Sequence, residues 1–233
     1  MDALAKPDAL LEIIAYRRDR FGIIADIFTR ESSQETLRLV LSRAQDFRQE
    51  EEGTAEYVLG SSLAGLPCSD FESFATLTRT EYARLFLGPR EVVAPLHESA
   101  YLSGTSRMFT AETLAVRSFY EHLGYKMKAK NREPEDAVGV EFEFLRNLCT
   151  RCIHLLENPL DSSIDEVRQL LGYQRDFKAQ HLDRWAREFS RRVVENDKSG
   201  FYAAWARYLV DVLDEDGELL GECERLLLDF GGR

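Results

Sequence analysis

Apolar residues recur at spacings of three and four through most of this chain, a periodicity that reads as helix. Leu10, Leu11, Ile13, Ile14, Phe21, Ile24 and Phe28 form the apolar side of a first helix over about Pro7 to Thr29, with Pro7 in its first turn and Gly22 as a candidate break. Ser32-Ser33-Gln34-Glu35 offers a capping box for a second helix, carrying Leu37, Val40, Leu41, Ala44 and Phe47 to about Glu50. A short helix from Thr54 to Leu63 precedes the turn Gly65-Leu66-Pro67. Asp70 caps a helix with Phe71, Phe74, Leu77, Tyr82, Leu85 and Phe86. That helix is expected to stop at Gly88-Pro89, because glycine accepts the left-handed position after a helix and proline cannot continue one. Thr110 caps the next, which runs to about His122 and closes at Gly124. Glu133-Pro134-Glu135-Asp136 starts another, with proline in the first turn and acids at the positive end of the dipole, running to about Glu157. A long helix is expected from Ser163 to about Glu195, a further one from Ser199 through Val212, and a last one capped by Asp216.

No convincing alternating strand pair and no repeat of fixed period interrupts this pattern. The fold class is therefore all-α, a bundle of about nine helices. The polar, basic stretch Lys126 to Arg132 is the best candidate hinge. It divides the chain into an N-terminal half (1–125), a hinge (126–136) and a C-terminal half (137–233).

Composition narrows the function classes. The apolar fraction is 44% and the charged fraction 30%, as in soluble globular domains. No apolar run approaches the ~18 residues needed to span a bilayer, and the N-terminus lacks the basic and small-residue features of a signal peptide. Cytoplasm is the expected compartment, with no stable membrane insertion. The net charge of −11 argues against nucleic acid as a partner, since phosphates are met by basic surface. It is compatible with a cationic partner.

Candidate chemistry is sparse. Cys149 and Cys152 have CxxC spacing with His154 nearby, but no second CxxC or HxxxH completes a four-ligand set. Both thiols fall on an unbroken helical stripe, Val138, Phe142, Leu145, Cys149, Cys152 and Leu156, and so read as core. Cys68 and Cys223 complete the four cysteines, all expected as free thiols. Glu133, Glu135, Asp136, Glu141 and Glu143 are dense, but the first three suit a helix N-terminus for structural reasons. His97-Glu98-Ser99 are sequence neighbours that do not face one another as a triad would. There is no GxSxG elbow, P-loop, GxGxxG or HExxH. No catalytic residue, metal site or cofactor is expected. A thiol- or metal-dependent enzyme using Cys149, Cys152 and His154, and a generic helical scaffold, remain the alternatives to a peptide-binding role.

The stretch Glu81 to Tyr101 organises the rest: an amphipathic helix stops, and a loop rich in Val, Pro and Leu follows. Such a loop must pack on its own domain or on a ligand. Tyr82, Leu85 and Phe86, then Gly88-Pro89, Pro95, Glu98-Ser99 and Tyr101, resemble the central motif of the TorD/DmsD/NarJ family of chaperones for molybdenum-cofactor oxidoreductases. Glu133-Pro134-Glu135-Asp136-Ala137 resembles that family's hinge motif, with Ala137 where the family has histidine. Glu141-Phe142-Glu143-Phe144-Leu145, and further on His181-Leu182, Trp185, Phe189 and Phe201-Tyr202, are similar too. The resemblance implies a TorD-like helical fold and a chaperone, not an enzyme. Its partner would be the catalytic subunit of an apo-molybdoenzyme and its twin-arginine signal peptide. It implies a monomer or a domain-swapped dimer. It also implies a binding surface at Tyr82, Leu85, Phe86, Pro95, Glu98, Glu133, Pro134 and Asp136, the acids meeting the arginines and the apolar residues meeting the hydrophobic stretch. His97 and His122 are candidates for the place of the missing hinge histidine.

Overall fold

The computed structural model describes residues 6–67, 69–88, 92–103, 110–126, 134–158 and 163–228. Among them are ten α-helices and one π-helical turn, with no strand. The helices are α1 (Lys6–Thr29), α2 (Gln34–Phe47), α3 (Ala55–Ala64), α4 (Phe71–Tyr82), α5 (Ser99–Leu102), α6 (Ala111–His122), α7 (Val138–Glu157), α8 (Ser163–Gln180), α9 (Leu182–Asn196) and α10 (Phe201–Leu228); the π turn, Ala83–Leu87, extends α4. The all-α reading therefore holds.

Local chemistry sets several boundaries. Ser33 caps α2, its hydroxyl accepting the Thr36 amide at 3.1 Å. Thr54 caps α3 through the Tyr57 amide at 3.3 Å, and Asp70 caps α4 through the Ser73 amide at 3.4 Å. Each satisfies an amide that the first turn of a helix leaves without a partner.

Five boundaries differ from expectation. α7 begins at Val138, so Pro134 lies ahead of the helix and not in its first turn. Gly22 does not interrupt α1. Gly88 ends the π turn at φ −8° and ψ 141°, outside the left-handed region. The expected helix from Ser163 to Glu195 is broken at His181 (φ −123°, ψ −88°), whose side chain is drawn into the interior. Asp216 caps nothing: it lies inside the uninterrupted α10. There its buried carboxylate accepts from Arg17 Nε at 2.7 Å and lies 3.4 Å from Lys178 Nζ. A carboxylate demanded by two buried cations sits wherever they converge, whatever its local capping preference.

A single apolar core runs through both halves of the sequence. α1 packs along α7 and α10, and α10 also meets α3, α8 and α9. Phe21 packs on Phe142, and Phe28 on Phe189, with ring centroids 5.9 and 5.3 Å apart. Glu56 of α3 accepts the hydroxyls of Tyr16 and Tyr208 at 3.0 and 2.7 Å, joining α1, α3 and α10. Of the expected hinge, Lys126 and Pro134 to Asp136 are described; residues 127–133 are not.

The approach of α1 to α7 depends on Gly139. A Cβ there would lie 2.4 Å from Thr29 Oγ1 and 2.7 Å from the Thr29 backbone nitrogen. Backbone cannot rotate aside as a side chain can, so Gly139→Ala is expected to lower stability by about 1–3 kcal/mol through overpacking. Urea denaturation checks this; an unchanged midpoint would show that the two helices separate freely.

Candidate functional site

The chain leaving the π turn doubles back on it. The Ala94 amide donates to the Leu85 carbonyl at 2.9 Å, satisfying an acceptor at the end of the helix. The loop then runs antiparallel to the entry of α7. The Val138 amide donates to the Leu96 carbonyl at 2.8 Å, and the Glu98 amide donates to the Asp136 carbonyl at 2.9 Å. His97 and Ala137 form the isolated bridge between them. The Asp136 carboxylate accepts the Ser99 amide at 2.9 Å where α5 begins. The two segments singled out from sequence, the apolar loop and the acidic entry of α7, thus form one unit.

Aromatic packing completes the seat of this unit. Tyr101 stacks on Trp185 with centroids 5.2 Å apart, donates its hydroxyl to the Pro95 carbonyl at 2.8 Å, and carries the Arg192 guanidinium over its face at 4.9 Å. Beneath the loop, Phe86 packs on Tyr82, Phe28, Phe189 and Tyr202, with centroids 5.1–6.1 Å apart.

The polar interior is denser than the sequence suggested. Glu98, Asp136 and Glu141 are all fully buried. Glu98 Oε2 lies 2.8 Å from His181 Nδ1, and Glu98 Oε1 lies 3.9 Å from Arg184 Nη1. Glu141 faces Glu98, Asp136 and the Trp185 indole. Burial, reinforced by the neighbouring charges of Glu98 and Asp136, pushes the Glu141 carboxyl well above the usual range. Beside this cluster, Glu135 accepts from Arg117 Nε at 2.8 Å, and its carbonyl accepts the Tyr120 hydroxyl at 3.0 Å.

This geometry corrects several expectations. Tyr82, Leu85 and Phe86 are buried and support the loop from inside; they do not line an open groove. Helical spacing marked them as apolar-face residues, and the apolar face turns to the core. Pro134 is buried as well, and Pro95 half-buried. Glu98, Glu135 and Asp136 are not open acids waiting for a cation, since each is buried and already engaged. Glu133 lies outside the described residues. Of the histidines, His181 occupies the polar cluster. His122 is exposed and bonded to the Tyr173 hydroxyl at 2.8 Å, and His97 contributes backbone to the bridge with Ala137. The surface that the unit presents includes Val92, Val93 and Pro95, all half-buried; Leu87, at the end of the π turn, is exposed.

Sequence reasoning missed the roles of Glu141 and His181. One signal was present: Glu141 falls three residues after Val138, on the stripe that was otherwise read as core. A carboxylate on an apolar stripe is buried, and a buried carboxylate has partners.

The thiols behave as core residues. Cys149, Cys152 and Cys223 are buried free cysteines. Burial pushes Cys149 up to about 12 and Cys223 up to about 11, and raises Cys152 as well, which suppresses the reactive thiolate. Cys149 and Cys152 share Gln174 as a polar neighbour, whereas His154 is exposed. Among the described residues, no group of His, Cys, Asp and Glu is arranged to hold a metal.

The sequence profile of the nitrate reductase delta subunit family matches residues 72–191, just over half the chain and all of the loop unit. The chain belongs to this family. Named relatives include chaperone protein TorD of Aliivibrio salmonicida, 29% identical over 140 residues, which are 60% of this chain and 62% of that protein. Chaperone protein TorD of Aeromonas salmonicida is 32% identical over 146 residues, 63% of this chain and 62% of the relative. A Haemophilus influenzae protein named "Probable Tat proofreading chaperone DmsD" is 26% identical over 135 residues, 58% of each chain. The matched stretch thus spans less than two thirds of each relative. A candidate redox enzyme maturation protein of Archaeoglobus fulgidus superposes with a TM-score of 0.48 at 20% identity, covering 82% of this chain and 93% of that one. The loop and the entry of α7 both lie within the matched residues, joined by one isolated antiparallel bridge.

Proposed function

We propose that this protein is a maturation chaperone for a molybdenum-cofactor oxidoreductase. It binds the twin-arginine signal peptide, the apo-subunit or both in the cytoplasm before export, and its work is binding rather than catalysis. The observation that carries the reading is the pinning of loop residues 94–99 to Leu85 and to Asp136–Val138 by backbone hydrogen bonds. It makes the family's two motif segments one preorganised surface, and preorganisation lowers the ordering cost of binding. Val92, Val93, Pro95 and Leu87 supply apolar contact for the hydrophobic stretch of a signal peptide. Tyr82, Leu85, Phe86, Glu98, Pro134 and Asp136 act by holding that surface in place. The acidic surface of a chain with net charge −11 attracts a cationic peptide over longer range. No helix among the described residues is long and apolar enough to cross a membrane.

Isothermal titration tests this with a synthetic peptide carrying two arginines ahead of an apolar stretch, against the same peptide with the arginines replaced by alanine. Wild type is expected to prefer the first. Val93→Asp is expected to weaken binding at least about tenfold, since a charge in an apolar contact costs more than 1.4 kcal/mol, while lowering the melting temperature less than Phe86→Ala does, because Val93 is only half-buried against the core. Equal affinity for the two peptides, or no effect of Val93→Asp, would overturn the reading.

A further inference from the structure

α1 and α2 follow one another in the chain but scarcely touch: α2 packs on α3, while α1 packs on α7 and α10. Between them runs a groove of about 610 Å³, a volume in the range of small-ligand sites. It is bordered from Tyr16 to Ile27 on one side and from Thr36 to Phe47 on the other, about 16 Å of helix each. Tyr16, Ile23 and Ile27 form one apolar wall, and Leu39, Val40 and Phe47 form the other. Ile27 and Val40 are buried, Ile23 and Phe47 half-buried, and Tyr16 and Leu39 exposed. Single exposed apolar side chains are ordinary, but here they sit on opposite walls of one groove and form a patch.

The floor is polar and incompletely paired. Arg20 is 3% exposed. Its Nη2 donates to Glu215 at 2.6 Å, and its Nε lies 3.0 Å from Glu56 Oε1. Its Nη1 is buried with no hydrogen-bond partner among the described residues. A buried donor without an acceptor is costly, so an acceptor supplied by a ligand is favoured there. Charge decides which kind of acceptor fits. In the lining, Arg18, Arg20, Arg43 and Arg146 balance Asp19, Asp26, Glu50 and Glu56. At the floor Arg20 is already met by two carboxylates, Glu56 and Glu215. An anion at Nη1 would be a third negative charge around one cation, away from bulk water. An uncharged oxygen supplies the missing bond without that repulsion.

We propose that the groove between α1 and α2 binds a neutral, mostly apolar small molecule whose carbonyl or amide oxygen accepts a hydrogen bond from Arg20 Nη1. Its apolar body lies between Tyr16 and Ile23 on one side and Leu39 and Phe47 on the other. The donor is held ready for it. The Arg20 guanidinium lies over the Tyr16 and Tyr208 rings at 4.9 and 5.7 Å from their centroids, and both tyrosine hydroxyls donate to Glu56. A donor fixed before binding loses little freedom when the ligand arrives. α1, α2 and α3 precede residues 72–191, which match the family profile. The proposal does not rest on the client reading, and either can fail without the other.

Nile red, an uncharged dye with a ring carbonyl, is the probe. Titrated into the full chain, it is expected to show saturable fluorescence with one site per chain. Octanamide is expected to displace it at a concentration at least about tenfold below that of octanoate, which has the same apolar chain and a negative charge. Leu39→Asp puts a charge in the groove wall and is expected to weaken dye binding at least about tenfold. Leu114→Asp, at an exposed position of α6 outside the groove, is expected to leave it unchanged. Equal effects of the two substitutions, or displacement by octanoate as readily as by octanamide, would overturn the proposal. Displacement by an apolar helical peptide at a lower concentration than octanamide would also overturn it, by making the groove a polypeptide site. Should Leu39→Asp fail to fold, nitrogen-15 NMR of the wild type decides. Arg20 guanidinium signals that shift on saturation with octanamide support the proposal, and signals that stay in place while the dye is displaced overturn it.

Discussion

Replacing Asp216 with alanine is expected to lower folding stability by about 3–5 kcal/mol, the cost of leaving buried charge without its partner. Against the roughly 5–15 kcal/mol that holds a typical domain together, that is enough to leave a sizeable unfolded fraction at physiological temperature. Arg17 is 1% exposed, and its Nε lies 2.7 Å from the Asp216 carboxylate. Lys178 Nζ lies 3.4 Å from the same carboxylate and also donates to the Leu213 carbonyl at 2.8 Å. One carboxylate thus compensates two cations contributed by α1 and α8, all at the waist of α10. Asp216→Asn would keep shape and part of the hydrogen bonding but not the charge, and is expected to fall between wild type and alanine. The double substitution Arg17→Met with Asp216→Leu should recover part of the loss, because an apolar pair carries no desolvation cost, although Lys178 is left behind. Urea denaturation of the four proteins measures this. A loss under about 1 kcal/mol for Asp216→Ala would mean that water reaches the cluster.

The second large effect separates two roles for the central motif. Phe86→Ala is expected to cost about 3–5 kcal/mol, the range for a large aromatic deleted from a packed core. The ring is 5% exposed and is surrounded by Tyr82, Phe28, Phe189 and Tyr202. The urea midpoint should fall with the slope unchanged, as for a loss of packing alone. Had Phe86 lined an open groove, the stability change would be within about 0.5 kcal/mol, as for most surface substitutions, and peptide affinity alone would suffer. Val93→Asp is expected to show the opposite balance, with a smaller loss of stability and a larger loss of binding. Measuring both quantities for both variants distinguishes residues that build the surface from residues that touch the client.

The same contrast explains what could be read in advance. The capping residues Ser33, Thr54 and Asp70 act on amides two or three positions away, so sequence distance and spatial distance coincide. The stripe through Cys149 and Cys152 was legible because a helix converts spacing into a face, and the face with the thiols is the buried one. Asp216 and His181 were misread for a shared reason. Asp216 was judged by its preference for helix starts, but its position is decided by Arg17, 199 residues away in sequence. His181 was placed within a continuous helix, yet it breaks one because its ring is pulled toward Glu98, 83 residues away.

The acids near Pro134 and Asp136 illustrate the remaining limit. Composition identified them as carboxylates beside a probable helix entry and left open whether they faced solvent. Tertiary packing closed the question by laying residues 94–99 over them and by bringing Arg117 to Glu135. The sequence by itself determined that this protein is helical, where most helices begin, which faces are apolar, and which family its central motifs resemble. Those properties depend on neighbours within a turn or two, or on order along the chain. Only the tertiary structure decided that the loop and the α7 entry are one unit, that the conspicuous aromatics lie under the surface, and that Glu98, Glu141 and His181 share a buried site. Charge burial and pairing depend on which distant elements converge, and spacing along one helix carries no record of the helix packed against it.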